Sequence, residues 1–388
     1  MTTNDTQAPA GEETEQEKRA GFLELFFDLV FVFGITQVTA LLLDDTSTLG
    51  FVRAALVFGL LWWAWSAYTW LTNAIDIERS GVRVLMLGAM AGSFFMALAV
   101  PEAYGSDGLW FAVPYVVVRV LQVALYAEGL RRSPEQLRAF LGLAPWFLVA
   151  PTLVLVGGAV DDPARAWLWA ASLAIDVTGT LVANRGTTGW RVSPGHFAER
   201  YGLFMIIVLG ETIVATGLGA REIERDGVFV VSVVVSFAAV AVVWWAYFGF
   251  TQRAAELTLA RAPVELRGPL ARDLYTLGHF PIALGIAFMA VAGEKTLAHP
   301  EDALSPGGRG ALGVGVAVFL LGFVLLRWRA IRRAAWERLA AAAVVLALVV
   351  ILDDVEAVWL LALVVGVLIA MITVERARWR GLLPADPS

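Results

Sequence analysis

Short charged or Pro/Gly-rich breaks divide this chain into twelve stretches of roughly 20 mostly apolar residues, and no other feature limits its fold so strongly. A helix of about 20 residues is what it takes to cross a hydrocarbon core of ~30 Å. Inside lipid the backbone must satisfy its own hydrogen bonds, which leaves the helix as the natural form for such stretches. They run approximately over 21–43, 50–72, 82–101, 108–130, 138–158, 164–183, 198–219, 227–250, 272–293, 309–326, 335–352 and 355–374. The last two are separated only by Asp353-Asp354-Val355-Glu356, a short but strongly charged turn. Hydrophobic residues make up 59% of the chain, against about 45–50% in a soluble domain. The expected fold is an all-α integral membrane protein of about 12 transmembrane helices.

Orientation follows from the basic residues. Counting the termini and every second loop as one side places 22 of the 29 Lys and Arg there, with six opposite and Arg119 within a span. The side rich in Lys and Arg is cytoplasmic by the positive-inside rule, so both termini are expected in the cytoplasm and the protein in the cell (inner) membrane. Residues 1–17 are polar and acidic and lack the basic, apolar and small-residue regions of a secretory signal. They read as a disordered tail, with Phe22 opening a retained first span. The expected division is a tail over 1–19, a six-helix half over 20–183, a cytoplasmic linker over 184–197, a second half over 198–375 and a tail over 376–388.

The two halves echo one another. Trp62-Trp63-Ala64-Trp65 is matched by Trp244-Trp245-Ala246-Tyr247, Gly34-Ile35-Thr36 by Gly210-Glu211-Thr212, and Phe95-Met96-Ala97 by Phe288-Met289-Ala290. An even number of spans per half makes such a repeat parallel, as in some transporters.

Ionisable groups inside a span are costly and need a reason. Glu24 and Asp28 are four residues apart, so they share a helix face, with Asp28 about 6 Å deeper. Glu211 follows nine mostly apolar residues, which puts it near mid-membrane. Arg119 and Asp176 lie 11 and 12 residues in from the outer ends of their spans, depths at which they can meet. His279 sits about seven residues into its span, ahead of Pro281. These six are the candidate ion, proton or substrate residues. Glu199, Arg200, Asn73, Asp76 and His196 are candidates for the cytoplasmic entrance. Most have a structural alternative: Glu24 paired with Lys18 or Arg19, Glu211 with Arg119, Arg119 locked to Asp176, His279 packed in the core, Asn73 and Asp76 merely ending a helix, and His196 capping a helix or pairing with Glu199.

With no cysteine, thiolate metal sites and disulfides are excluded, and three His make a metal centre unexpected. No phosphate-cradling loop, HExxH or GxSxG occurs, so neither a cofactor nor an enzyme activity is expected. The Arg-rich segment 327–338 lies between two spans and fits a loop near anionic lipid rather than nucleic acid.

The strings Glu24-Leu-Phe-Phe-Asp28-Leu-Val-Phe and Glu199-Arg-Tyr-Gly-Leu-Phe-Met-Ile-Ile-Val-Leu-Gly-Glu211 resemble the bacterial low temperature requirement protein A (LtrA) family, over about Arg19 to Arg376. Asn73, Asp76 and His279 also look like family positions. Thr212 stands where the resemblance leads one to expect Ser, and the hydroxyl is kept. The resemblance implies a multi-pass bacterial membrane protein and no settled biochemical activity. Phe27-Asp28 also looks a little like the Phe-Ser-Asp motif of potassium channels built from six-helix repeats, without the Ser. The leading expectation is a transporter of a small solute or ion, proton-coupled in its sharper form, with Asp28 and Glu211 together at the centre. The alternatives are an ion channel, a non-transporting membrane sensor or an intramembrane enzyme. The bilayer and the transported solute are the expected partners. Neither the substrate nor the oligomeric state is legible.

Overall fold

The structure is a computed structural model describing residues 19–77, 79–106, 108–131, 134–183, 192–220, 225–249 and 251–379. Residues 1–18 of the expected 1–19 tail, most of the 184–197 linker and residues 380–388 lie outside the described residues, as do Arg132 and Arg221.

Long helices occupy all twelve expected stretches. They are α1 (Phe22–Asp44), α2 (Thr48–Ala74), α3 (Ser80–Leu98), α4 (Gly108–Leu130), α5 (Pro134–Gly158), α6 (Ala164–Ala183), α7 (Pro194–Gly219) and α8 (Gly227–Phe248). Two short helices, α9 (Thr251–Ala260) and α10 (Val264–Ala271), and a π-helical segment (Arg272–Leu277) come next. The chain then continues through α11 (Gly278–Ala298), α12 (Pro306–Ile331), α13 (Trp336–Ile351) and α14 (Ala357–Trp379). Among the described residues, eight helical segments are long and apolar enough to cross a membrane, those beginning at Phe22, Thr48, Ser80, Gly108, Gly227, Val264, Pro306 and Ala357. Of the rest, α13 has 16 residues, about 24 Å at 1.5 Å per residue, and α6 and α7 carry the buried ionisable residues described below.

The helix starts use short polar caps. The Ser47, Asp226 and Ser305 side chains accept from the amides of Gly50, Phe229 and Gly308, and Pro306 follows Ser305 at the first helical position. At α1 the cap is supplied from within: the Glu24 carboxylate turns back to accept the Gly21 N–H at 2.7 Å. The same side chain thus starts the helix and, as shown below, ties it to a second one.

Packing follows one pattern in both parts of the chain. In the first, α1 lies on α2 and α3, α3 on α4, α4 on α5, α5 on α6, and α2 on α6. In the second, α7 lies on α8 and α11, α11 on α12, α12 on α13, α13 on α14, and α8 on α14. The closest approach joins α11 to α12 at two glycines. A Cβ on Gly285 would fall 2.5 Å from the Phe319 amide and 2.6 Å from the Gly315 carbonyl, so the two backbones touch where any side chain would hold them apart. The parts join where α1 packs on α7 and α11. Large apolar side chains face outward, among them Val230, Val234 and Phe237 on α8 and Ile206, Ile213 and Val214 on α7. Charged side chains turn inward, the inverse of a soluble protein and the arrangement lipid demands.

Candidate functional site

Two helices from different parts of the chain carry a matched pair of residues each. On α1, Glu24 and Asp28 stand two and six residues past the first residue of the helix. On α7, His196 and Arg200 stand at the same offsets. Side chains four apart share a helix face, so the packed helices meet as a two-rung ladder. Its first rung is a 2.9 Å hydrogen bond between His196 Nε2 and Glu24 Oε1. In the second, Arg200 Nη2 donates to Asp28 Oδ1 at 2.8 Å. The order of the rungs shows that α1 and α7 run in the same direction. A diagonal connects the rungs, with Arg200 Nη1 3.8 Å from Glu24 Oε1. All four side chains are fully buried.

The ladder has further supports. The Trp65 indole N–H donates to Asp28 Oδ1 at 2.7 Å, so one carboxylate oxygen takes both strong donors. Among the described residues, Asp28 Oδ2, Arg200 Nε and Nη1, and His196 Nδ1 have no hydrogen-bond partner. Glu199 lies beside the ladder, its carboxylate accepting the Ala20 N–H at 2.9 Å. Asn73, at the end of α2, accepts the Ser193 N–H at 3.1 Å and pins the start of α7. Asp76 is exposed just beyond α2.

Several expectations are revised here. Glu24 is partnered by His196 and Arg200, because parallel helices bring residues of equal depth together, while its expected partner Lys18 lies outside the described residues. His196 lies within α7 rather than in the loop before it, and binds Glu24 instead of Glu199. Arg200 is fully buried. Asp28 and Glu211 do not share one site: Glu211 lies 11 residues beyond Arg200 on the same helix, about 16 Å at 1.5 Å per residue. Glu211 is half-buried. Its neighbour Thr212 lines a mostly apolar cavity of about 50 Å³ that also holds the Thr216 and Ser236 hydroxyls.

Arg119 and Asp176 do meet, Nη2 to Oδ1 at 2.9 Å, in the interior of the first part. His279 belongs to a separate buried group. Its Nδ1 donates to the Leu274 carbonyl at 2.9 Å, which leaves Nε2 to accept from the Tyr247 hydroxyl at 2.9 Å. The Tyr275 ring stacks on it at 5.2 Å. Leu274 and Tyr275 belong to the π-helical segment, a form that recurs at functional sites. Next to them Thr276 gathers donors from α2: Trp62 to its carbonyl at 2.8 Å, and Trp70 and Ser66 to its hydroxyl at 2.9 and 3.1 Å. The sequence pattern gave no sign of Thr276 or of Tyr201, whose hydroxyl lies 3.0 Å from Ser66 Oγ and 3.2 Å from Thr276 Oγ1, and showed Trp65 only as part of a repeat. It also gave no sign of a second ionic cluster, Arg338 and Glu375 with Arg327 and Glu337. The ladder itself left a signal, two i,i+4 polar pairs at equal depth separated by 172 residues. Among the described residues, no three His, Asp or Glu side chains stand close enough to hold a metal ion.

The profile of the family described as bacterial low temperature requirement A protein (LtrA) matches residues 19–373. The chain belongs to the LtrA family. A curated relative, the uncharacterized protein RA0937 of Rhizobium meliloti (strain 1021), is 36% identical over 312 residues, covering 77% of this chain and 75% of its own length. No solved structure matches. Both strings that carried the resemblance to the LtrA family lie in the ladder helices: one holds Glu24 and Asp28, the other runs from Glu199 through Arg200 to Glu211. This LtrA protein is a membrane protein in which those strings face one another.

Proposed function

We infer that this LtrA protein is a secondary transporter of a small solute or ion, coupled to protons through the ladder between α1 and α7. The observation that carries the reading is the charge count of the buried cluster. Glu24 and Asp28 bring two carboxyl groups and Arg200 one permanent cation. His196 is neutral or cationic. With both acids ionised, the cluster is neutral only when His196 holds one extra proton, and a buried cluster away from neutrality is expensive. One proton therefore decides the state of the ladder. Arg200 has two carboxylates in reach, at 2.8 Å and 3.8 Å, so a proton on Asp28 leaves the guanidinium a partner in Glu24. That shift re-ties one helix to the other and biases two arrangements of the parts.

The matching packing patterns of α1–α6 and of α7, α8 and α11–α14 support two parallel six-helix halves rocking against each other. The arginine bias supports a cytoplasmic location for both termini, and so for the ladder, which lies near the starts of α1 and α7. Glu211, deeper on α7, serves as a second station for a cation or proton, next to Thr212 and the small, mostly apolar cavity it lines. In this reading the protein moves a solute and performs no covalent chemistry.

The test uses purified protein in liposomes on a solid-supported membrane, with concentration jumps of inorganic cations, inorganic anions and amino acids at pH 6 and pH 8. At least one class produces a transient current that depends on pH and is lost in Asp28→Asn. No current from any class, with protein shown to be folded, defeats the reading. Single-channel steps in a planar bilayer would assign the chain to the channel class instead.

A further inference from the structure

The second ionic cluster stands apart from the ladder. It lies on the wall of a cavity of about 80 Å³ between α9, the π-helical segment, α12, α13 and α14. That is well above the ~10–15 Å³ that admits a single water. Most of the wall is apolar, including Ala255, Leu274, Phe323 and Leu326. Ile331, 46% exposed, also lines it and marks its mouth. At the polar end Arg327, Glu375, Thr251 and Thr258 stand with Arg338, a side chain only 2% exposed. Its Nε and Nη2 hold the Glu375 carboxylate at 3.2 and 2.8 Å, Nη2 also reaches the Ala246 carbonyl at 3.3 Å, and the guanidinium lies 4.1 Å from the Phe323 ring centre. Nη1 has no hydrogen-bond partner among the described residues.

A buried guanidinium with one nitrogen unsatisfied lacks an acceptor, and leaving it so is costly. The surrounding field favours an anion. Arg327, Arg329, Arg332, Arg333 and Arg338 stand against the three acids that pair with them, Glu337, Glu375 and Asp273. Within the cluster, Arg327 pairs with both Glu337 and Glu375, so both acids are already engaged. We propose that this cavity binds a short-chain monocarboxylate of about three to five carbons, its carboxylate on Arg338 Nη1 and its tail against Phe323, Leu326 and Leu274. A phosphate fits less well, since most of the wall offers only hydrocarbon to its three oxygens. Small apolar pockets with one well-placed polar group are the common form of small-molecule sites. The proposal concerns binding alone and does not rest on the transport reading.

The full chain in nanodiscs of zwitterionic phosphatidylcholine, titrated with butyrate by calorimetry, tests it. Butyrate binds saturably with a stoichiometry of one. Butyramide, of nearly the same shape without the charge, binds at least about tenfold more weakly, as loss of a charge-assisted hydrogen bond implies. Arg338→Gln abolishes butyrate binding. That variant disturbs the Glu375 pair as well, so Ala255→Leu, which fills the cavity from α9 and leaves the ion pairs untouched, is the second arm and also abolishes it. Absence of butyrate binding in the unaltered protein, equal binding of butyramide, or full binding in Ala255→Leu overturns the proposal. So does octanoate binding as tightly as butyrate, which would assign the site to a lipid tail.

Discussion

The Arg119–Asp176 pair and the Glu24–Asp28–His196–Arg200 ladder are both buried salt bridges with bonds of 2.8–2.9 Å, yet they are built for different ends. The pair is one cation and one anion, held between α4 and α6 within one part of the molecule. Neither charge has a second ionic partner within 4.0 Å among the described residues, so the only low-energy state is the closed one. The ladder joins the two parts. It has two acids for one permanent cation, a His that can take or give a proton, and a diagonal contact of 3.8 Å that offers Arg200 a second carboxylate. A locked pair holds a shape. A redundant cluster can exchange partners at modest cost, and exchange is what a moving interface needs. The difference shows that buried charge alone does not mark a functional site; partner number and position relative to the joint between parts are the better guides.

The comparison breaks most sharply at the pair. Arg119→Gln strands the Asp176 carboxylate and should cost about 3–5 kcal/mol, read from reversible unfolding in lipid bicelles. Arg119→Met with Asp176→Leu removes both charges and should recover most of that. A cost below about 1 kcal/mol for Arg119→Gln would show that the pair is not the lock described here.

The ladder should give a smaller single effect and a larger coupling. Asp28→Asn removes one charge-assisted contact, about 1.5–3 kcal/mol, because Glu24 still faces Arg200. Glu24→Gln alone behaves similarly, its amide oxygen still able to accept the Gly21 N–H. Together the two leave Arg200 with no anion, so the double variant should lose clearly more than the sum of the singles. Strict additivity in that cycle would show that the two rungs are independent.

These contrasts also mark what the sequence made legible. Helix positions were readable because each span is a long apolar run with a charged end. The stretch 251–271 was not read as helix: Gln252, Arg253, Glu256, Arg261 and Glu265 make it look like a break, although it folds as α9 and α10, helices of ten and eight residues that are too short to span by themselves. Depth was readable too, since the rise per residue is fixed, and counting inward correctly brought Arg119 to Asp176. Lateral position was not. Placing Asp28 beside Glu211 assumed that acids converge at mid-membrane, whereas helix packing sets Asp28 against Arg200 and leaves Glu211 three turns away. Trp65 and Thr276 were missed for a related reason: an indole N–H or a hydroxyl in an apolar run carries no signal until the neighbouring helix is placed. Arg338 was read as part of a basic loop because its partner Glu375 lies 37 residues on, at the end of another helix.

A further step down in size is Tyr247→Phe, which removes the hydroxyl that His279 Nε2 accepts. A buried hydrogen bond between membrane helices averages about 0.6 kcal/mol, and His279 keeps its second bond to Leu274, so the loss should be of that order. A cost of several kcal/mol would mean that the π-helical segment depends on this bond for its shape.

The smallest stability effect belongs to Glu211. It is half-buried, and no ion pair holds it among the described residues, so Glu211→Gln leaves no stranded partner and should shift unfolding by no more than about 0.5 kcal/mol. The same substitution should reduce the pH-dependent current if the residue is a station for a proton or cation. Glu211 and Arg119 are then opposites: removing the charge from one changes activity and spares the fold, while removing it from the other spoils the fold first. A Glu211→Gln protein that unfolds readily would place Glu211 with the locks, and the second station on α7 would have to be sought among the hydroxyls of Thr212 and Thr216.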